Sequence, residues 1–166
     1  MMRMYIVGAL LAALWAGTPL AAETSTHPID VRAKVAQCSP TEVLLSIELK
    51  NLGQDRIEFF NGDLPWGIRT SLVMAIVADE PDPTMLKPAL FIDDPRAGVV
   101  ALDAMQTVSG TVELSRRFPD LLETLKKRDL LVFWSYSAQL KSGVRTSRAS
   151  GSTLLESDKC VRAKQR

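Results

Sequence analysis

The chain has 166 residues, of which 46% are hydrophobic and 23% charged, with 20 Lys and Arg against 19 Asp and Glu. That length suits one globular domain, and the composition excludes a disordered chain, a collagen-like repeat and a disulfide-dense mini-protein. The near-neutral balance argues against nucleic acid as a partner, because dedicated nucleic-acid binders carry a basic excess.

In chain order, residues 1–22 have the layout of a secretory signal peptide. Met1-Met2-Arg3 gives a positive start, Ile6 to Trp15 an apolar run, Gly17-Thr18-Pro19 a break, and Leu20-Ala21-Ala22 a small-residue exit before Glu23. The run is shorter than the roughly 20 residues a membrane-spanning helix needs, so a retained anchor is the weaker alternative. Cleavage after Ala22 removes Arg3 alone among the charged residues and leaves no membrane span. The expected organisation is a signal peptide (1–22), one domain (23–160) and a basic tail (161–166), in a periplasmic or secreted protein. Both cysteines, Cys38 and Cys160, fall in the mature part. An even pair in an exported protein predicts a disulfide. It would close a loop of about 120 residues and stabilise by roughly 4–5 kcal/mol in the chain-entropy model.

Most of the remainder reads as short strands. Ile29, Val31, Ala33 and Val35 share one face, and Val43, Leu45, Ile47 and Leu49 repeat the period of two that marks a half-buried strand. Residues 51–55 form a turn, because Asn, Gly and Asp tolerate turn dihedrals, and 56–60 return as a strand. Leu64-Pro65-Trp66-Gly67 interrupts the pattern. Strands follow over 71–78, 90–92, 99–102 and 108–114, separated by a Pro- and acid-rich loop (79–88), a turn (93–98) and a connection (103–106). Leu121, Leu122 and Leu125 fit a helical face, with Pro119 in the first turn and Lys126, Lys127 and Arg128 at the end, which predicts one short helix over 119–127. Residues 130–138 read as a central strand, the polar stretch 141–152 as a hairpin, and 153–155 as the closing strand. His27 and the tail beyond Cys160 read as solvated ends.

Seven or more short strands with one minor helix argue for an all-β, immunoglobulin-like sandwich, with an open barrel as runner-up. The segment Leu44 to Phe60 followed by Val99 to Leu114 resembles secreted immunoglobulin-like accessory domains of bacteria, through Asn51 and Gly53 in the first turn and Gln106 with Ser109-Gly110-Thr111-Val112 later. The chain is also similar to propeptide-type sandwich domains of secreted metallopeptidases and to BsuPI-type proteinase inhibitors. It departs from the accessory-domain pattern at Ala104-Met105, where Pro-Gly is usual. The resemblance implies a sandwich fold and brings no functional residue with it.

Chemistry is sparse. His27 is the single histidine, and a hydrolytic triad needs a base set against a nucleophile. One His and two bridged Cys cannot make a conventional zinc site, and Met74, Met85 and Met105 are a poor copper set. Asp79, Glu80 and Asp82, and again Asp93 and Asp94, read as solvated acidic loops without a calcium-loop pattern. No catalytic residue, metal or cofactor is expected. The tail residues Lys159, Arg162, Lys164 and Arg166 read as solubilising charge. Phe133, Trp134 and Tyr136 split between two faces of one strand, one of them core. The candidate binding loop is Leu64, Pro65, Trp66 and Gly67, because Trp is a favoured anchor and loops on rigid scaffolds carry function; the alternative is that Trp66 folds back over the core. The expected function is a non-catalytic binding or accessory module of the bacterial envelope, with an envelope or secreted protein as partner. The alternatives are a secreted protease inhibitor presenting residues 61–69, or an enzyme of unrecognised type.

Overall fold

The computed structural model describes residues 26–67, 72–78, 84–89 and 98–161. The expected signal peptide, the 90–92 strand and most of the 93–98 turn lie outside them. Among the described residues ten short strands and a few short helices form a sandwich-like β domain. The strands are β1 (Thr26–His27), β2 (Ile29–Cys38), β3 (Val43–Asn51), β4 (Ile57–Phe60), β5 (Leu72–Ala78), β6 (Val99–Leu102), β7 (Thr107–Glu113), β8 (Leu130–Tyr136), β9 (Arg145–Thr146) and β10 (Ala149–Leu155). The helices are α1 (Leu114–Arg117), α2 (Leu121–Leu125) and α3 (Ser157–Val161), with a 3-10 turn over Asn61–Asp63.

One sheet has the order β2-β3-β7 and the other β10-β8-β5, all antiparallel. β4 pairs with β6, and β1 runs parallel to β9. Alternation decides which faces turn inward. On β3, Val43, Leu45, Ile47 and Leu49 are fully buried, as a period of two on a one-sided strand requires. On β8, Leu130, Val132, Trp134 and Tyr136 point inward while Phe133 stays 44% exposed. These rows join Ile57, Phe59, Leu72, Ile76 and Leu102 in one core.

The helix expected over 119–127 is trimmed to α2, with Leu121 and Leu125 fully buried. Two further helical turns escaped the sequence. Leu114, read as the end of a strand, begins α1 and is fully buried. Val161, assigned to the tail, ends α3, whose Cys160 is bonded to Cys38 across a separation of 122 residues. The disulfide expected from the cysteine count is therefore present and ties β2 to α3.

His27 corrects another expectation. It is half-buried in β1, its carbonyl accepts the Ser147 N–H at 2.8 Å, and its ring meets Asn51 at 2.7 Å. The N-terminal segment is held because β9 and Asn51 both offer it partners, so it is not a solvated tail at this residue.

Candidate functional site

The Leu64–Gly67 loop is built inward from its base. Asn61 donates its N–H to Gly98 O at 3.0 Å, extending the β4–β6 pairing by one step. The 3-10 turn then reverses the chain, and the Gly67 N–H closes the loop on Leu64 O at 2.7 Å. From the opposite sheet, the buried Tyr136 hydroxyl donates to Asp63 O at 2.9 Å. Burial, and then the nearby Asp63 carboxylate, pushes that phenol far above its usual range, so it stays a donor at any ordinary pH.

Leu64 and Pro65 are buried and Trp66 is half-buried. The indole lies on the backbone of β7 at Gly110, where a Cβ would come within 2.2 Å of the ring. Only a residue without a side chain lets the ring approach so closely. Trp66 thus takes the folded-back position, and Trp66 and Gly67 are the loop residues that keep accessible surface. The four residues are brought together, but as a packed plug with a narrow outer rim.

The sequence missed a second constellation. Asn51, at the end of β3, is fully buried and is the hub of one end of the domain. Its Nδ2 donates to the carbonyls of Asp55 (2.8 Å), Leu102 (3.3 Å) and Asp103 (3.1 Å), and its Oδ1 accepts the Gly53 N–H at 2.9 Å. Three carbonyls around Nδ2 leave no doubt which amide atom is which, so the His27 ring must carry a proton on Nε2 and donate it to Oδ1. Gly53 sits under that ring, with a hypothetical Cβ 2.3 Å from Cε1. The hub also grips the Asp103–Gln106 turn, where Met105 holds a left-handed φ of 60° at the position where Pro-Gly would place glycine. A non-glycine residue there costs about 1 kcal/mol or more. The turn is closed by Gln106 N–H to Asp103 O at 3.1 Å and by Gln106 Oε1 on the Asp103 N–H at 2.7 Å. The Asn51-x-Gly53 turn was visible in the sequence, but two of the three carbonyls it serves come from residues 51 and 52 positions away.

Elsewhere, Trp134 and Tyr136 are in the core. A cleft beside α3 is lined by Lys127, Arg128, Asp129, Glu156, Ser157 and Asp158, charges of both signs. Asp129 there accepts the Ser157 N–H at 2.7 Å, and Lys159 pairs with Glu156. Among the described residues no three His, Cys, Asp or Glu side chains are grouped so that they could hold a metal ion; the acidic runs 79–82 and 93–94 lie outside them.

No family model matches the chain, and no curated protein matches it. Among solved structures it is similar to Bacteroides uniformis beta-glucuronidase 2 covalently bound to cyclophellitol-6-carboxylate aziridine, at 18% identity and a TM-score of 0.32. A crystal structure of Bacteroides uniformis beta-glucuronidase matches at 18% identity and a TM-score of 0.31. Each match covers 75% of this chain and 12% of the larger one.

Proposed function

We propose that the chain is an exported, non-catalytic binding or accessory module of the bacterial envelope, whose partner is an envelope or secreted protein. The observation that carries the reading is the Cys38–Cys160 disulfide, since such bonds form and persist in oxidising compartments. The scaffold supports it as well. A loop held by Tyr136, Gly110 and its own backbone presents the rim of Trp66 with little ordering cost, and rigidity of that kind favours recognition. A protease inhibitor needs a loop that stands out into the protease cleft. Leu64 and Pro65 are buried, so the geometry of residues 61–67 does not favour that alternative.

The test has two stages. Native protein from fractionated cells is alkylated before and after reduction. Two thiols that react only after reduction, in periplasmic or secreted material, are expected; free thiols in cytosolic material would overturn the export reading. Mature protein and its Trp66→Ala variant are then used to capture proteins from envelope extract. A partner retained by the first and lost by the second is the expected result, and retention of nothing specific by either counts against a protein partner.

A further inference from the structure

We propose that strand β7 is a self-complementary edge and that two copies of this chain pair through it, joining their three-stranded sheets into one. Hydrogen bonding is settled on one side. Asn51 N–H donates to Gln106 O, so the alternation of an antiparallel ladder turns the backbone groups of Val108, Gly110 and Val112 toward β3. Those of Thr107, Ser109, Thr111 and Glu113 turn outward. Among the described residues the outward groups of Thr107, Ser109 and Thr111 have no partner, while Glu113 caps the start of α1 and turns its carbonyl into that helix. The strand is regular over its length and carries no Lys, no Pro and no bulge, the usual devices that blunt an edge.

Other edges of the two main sheets are protected. β2 has a register shift between Val35 and Gln37, carries Asp30, Arg32 and Lys34, and lies beside β10. β5 is covered where Met85 bridges Val77 and where the Leu86 N–H donates to Ile76 O at 2.8 Å. Among the described residues these edges are guarded and β7 is not.

The edge fits a second copy of itself. A two-fold axis at Gly110 sets Thr107 opposite Glu113 of the second copy and Ser109 opposite its Thr111. The two Ser109–Thr111 pairs then exchange both bonds, and at each end the Glu113 N–H of one copy donates to the Thr107 carbonyl of the other. Gly110 meets Gly110 in a close, non-hydrogen-bonded pair, the position where a missing side chain is most useful, and the two Trp66 rings flank it on the inner side. Charge agrees with this register. Thr107 is directly opposite Lys50 on β3, so Glu113 of the second copy stands beside Thr107 and two strands, about 10 Å, from Lys50. The two side chains span that gap over the short threonine. No like charges face each other across the new pairing. This goes beyond the reading as an envelope module and does not depend on it.

Sedimentation velocity on the purified chain tests it, over a concentration series reaching about 0.3 mM, high enough to detect a weak dimer. The mass is expected to double with concentration. Ser109→Pro removes an outward N–H and leaves the β3 ladder intact; it is expected to stay monomeric with an unchanged melting curve. Glu113→Lys sets like charges together and should weaken the dimer about tenfold, while Glu113→Lys with Lys50→Glu should restore it. A wild type monomeric throughout, or a Ser109→Pro protein that dimerises as well as the wild type, overturns the proposal. If Ser109→Pro does not fold, the charge pair decides: no loss with the single change, or no rescue with the double, overturns it.

Discussion

The two ends of strand β2 are held by different physics. At its start, β1, the Pro28 carbonyl and the neighbouring turns are gathered by hydrogen bonds around Asn51 and by the Leu52 N–H on Pro28 O at 3.1 Å. At its finish, Cys38 is bonded covalently to Cys160 of α3. The first device acts on the folded state, where a buried amide replaces water for carbonyls and N–H groups that would otherwise be orphaned. The second acts mainly on the unfolded chain, whose freedom it restricts. The comparison teaches that neighbouring parts of one sheet can be secured by terms that respond to different perturbations.

The largest effect tests the covalent end. Cys38→Ala with Cys160→Ala is expected to lower stability by about 4–5 kcal/mol, read as a shift of the urea midpoint, with near-UV circular dichroism of the folded state unchanged. A loss of native dichroism would break the contrast, because the bridge would then be organising the folded state too. Next comes the polar end. Asn51→Ala leaves the Asp55, Leu102 and Asp103 carbonyls and the Gly53 N–H without their partner, and should cost about 3 kcal/mol. Here the folded state itself should change, with faster hydrogen exchange in the 51–55 and 103–106 turns.

The Trp66 loop is a third case, secured by shape. Gly110→Ala places a methyl inside the space of the indole and should cost about 2 kcal/mol as the ring is forced outward. A red shift of tryptophan emission is the readout. The smallest effect is Tyr136→Phe, which orphans the Asp63 carbonyl and should cost about 1 kcal/mol. It also has a pH signature. The Tyr136 phenol is raised above its ordinary value of 10.0 in the folded protein, so the unfolded chain loses its proton first. The stability linked to that proton is fully present below pH 10.0. It declines above that pH by up to about 1.4 kcal/mol per unit. Tyr136→Phe should lack this contribution to the alkaline decline, as denaturant titrations from pH 9 to 11 would register.

Much of this architecture was legible from the chain. β3 reads from residues 43 to 49 because a one-sided strand leaves a local signature every second residue. The disulfide was legible from two cysteines and a leader-like start. The site was less so. Trp66 in a Pro-Gly context looks the same whether it faces solvent or lies on a strand, and only the position of Gly110 in space separates the two. His27 looked like a tail residue because its partner, Asn51, is 24 positions away. Leu114 continued the alternation of β7 and so gave no warning of α1.

The amino-acid sequence alone thus determined the β class, the inward row of β3, the two opposed rows of β8 and the pairing of the cysteines, because period, composition and count are local or additive properties. Tertiary structure alone decided that Trp66 is seated on Gly110, that Asn51 serves carbonyls 51 and 52 positions away, and that β7 is the last described strand of its sheet. Those outcomes depend on which distant segments meet, and the free energy of a contact belongs to both partners at once, so neither segment encodes it alone.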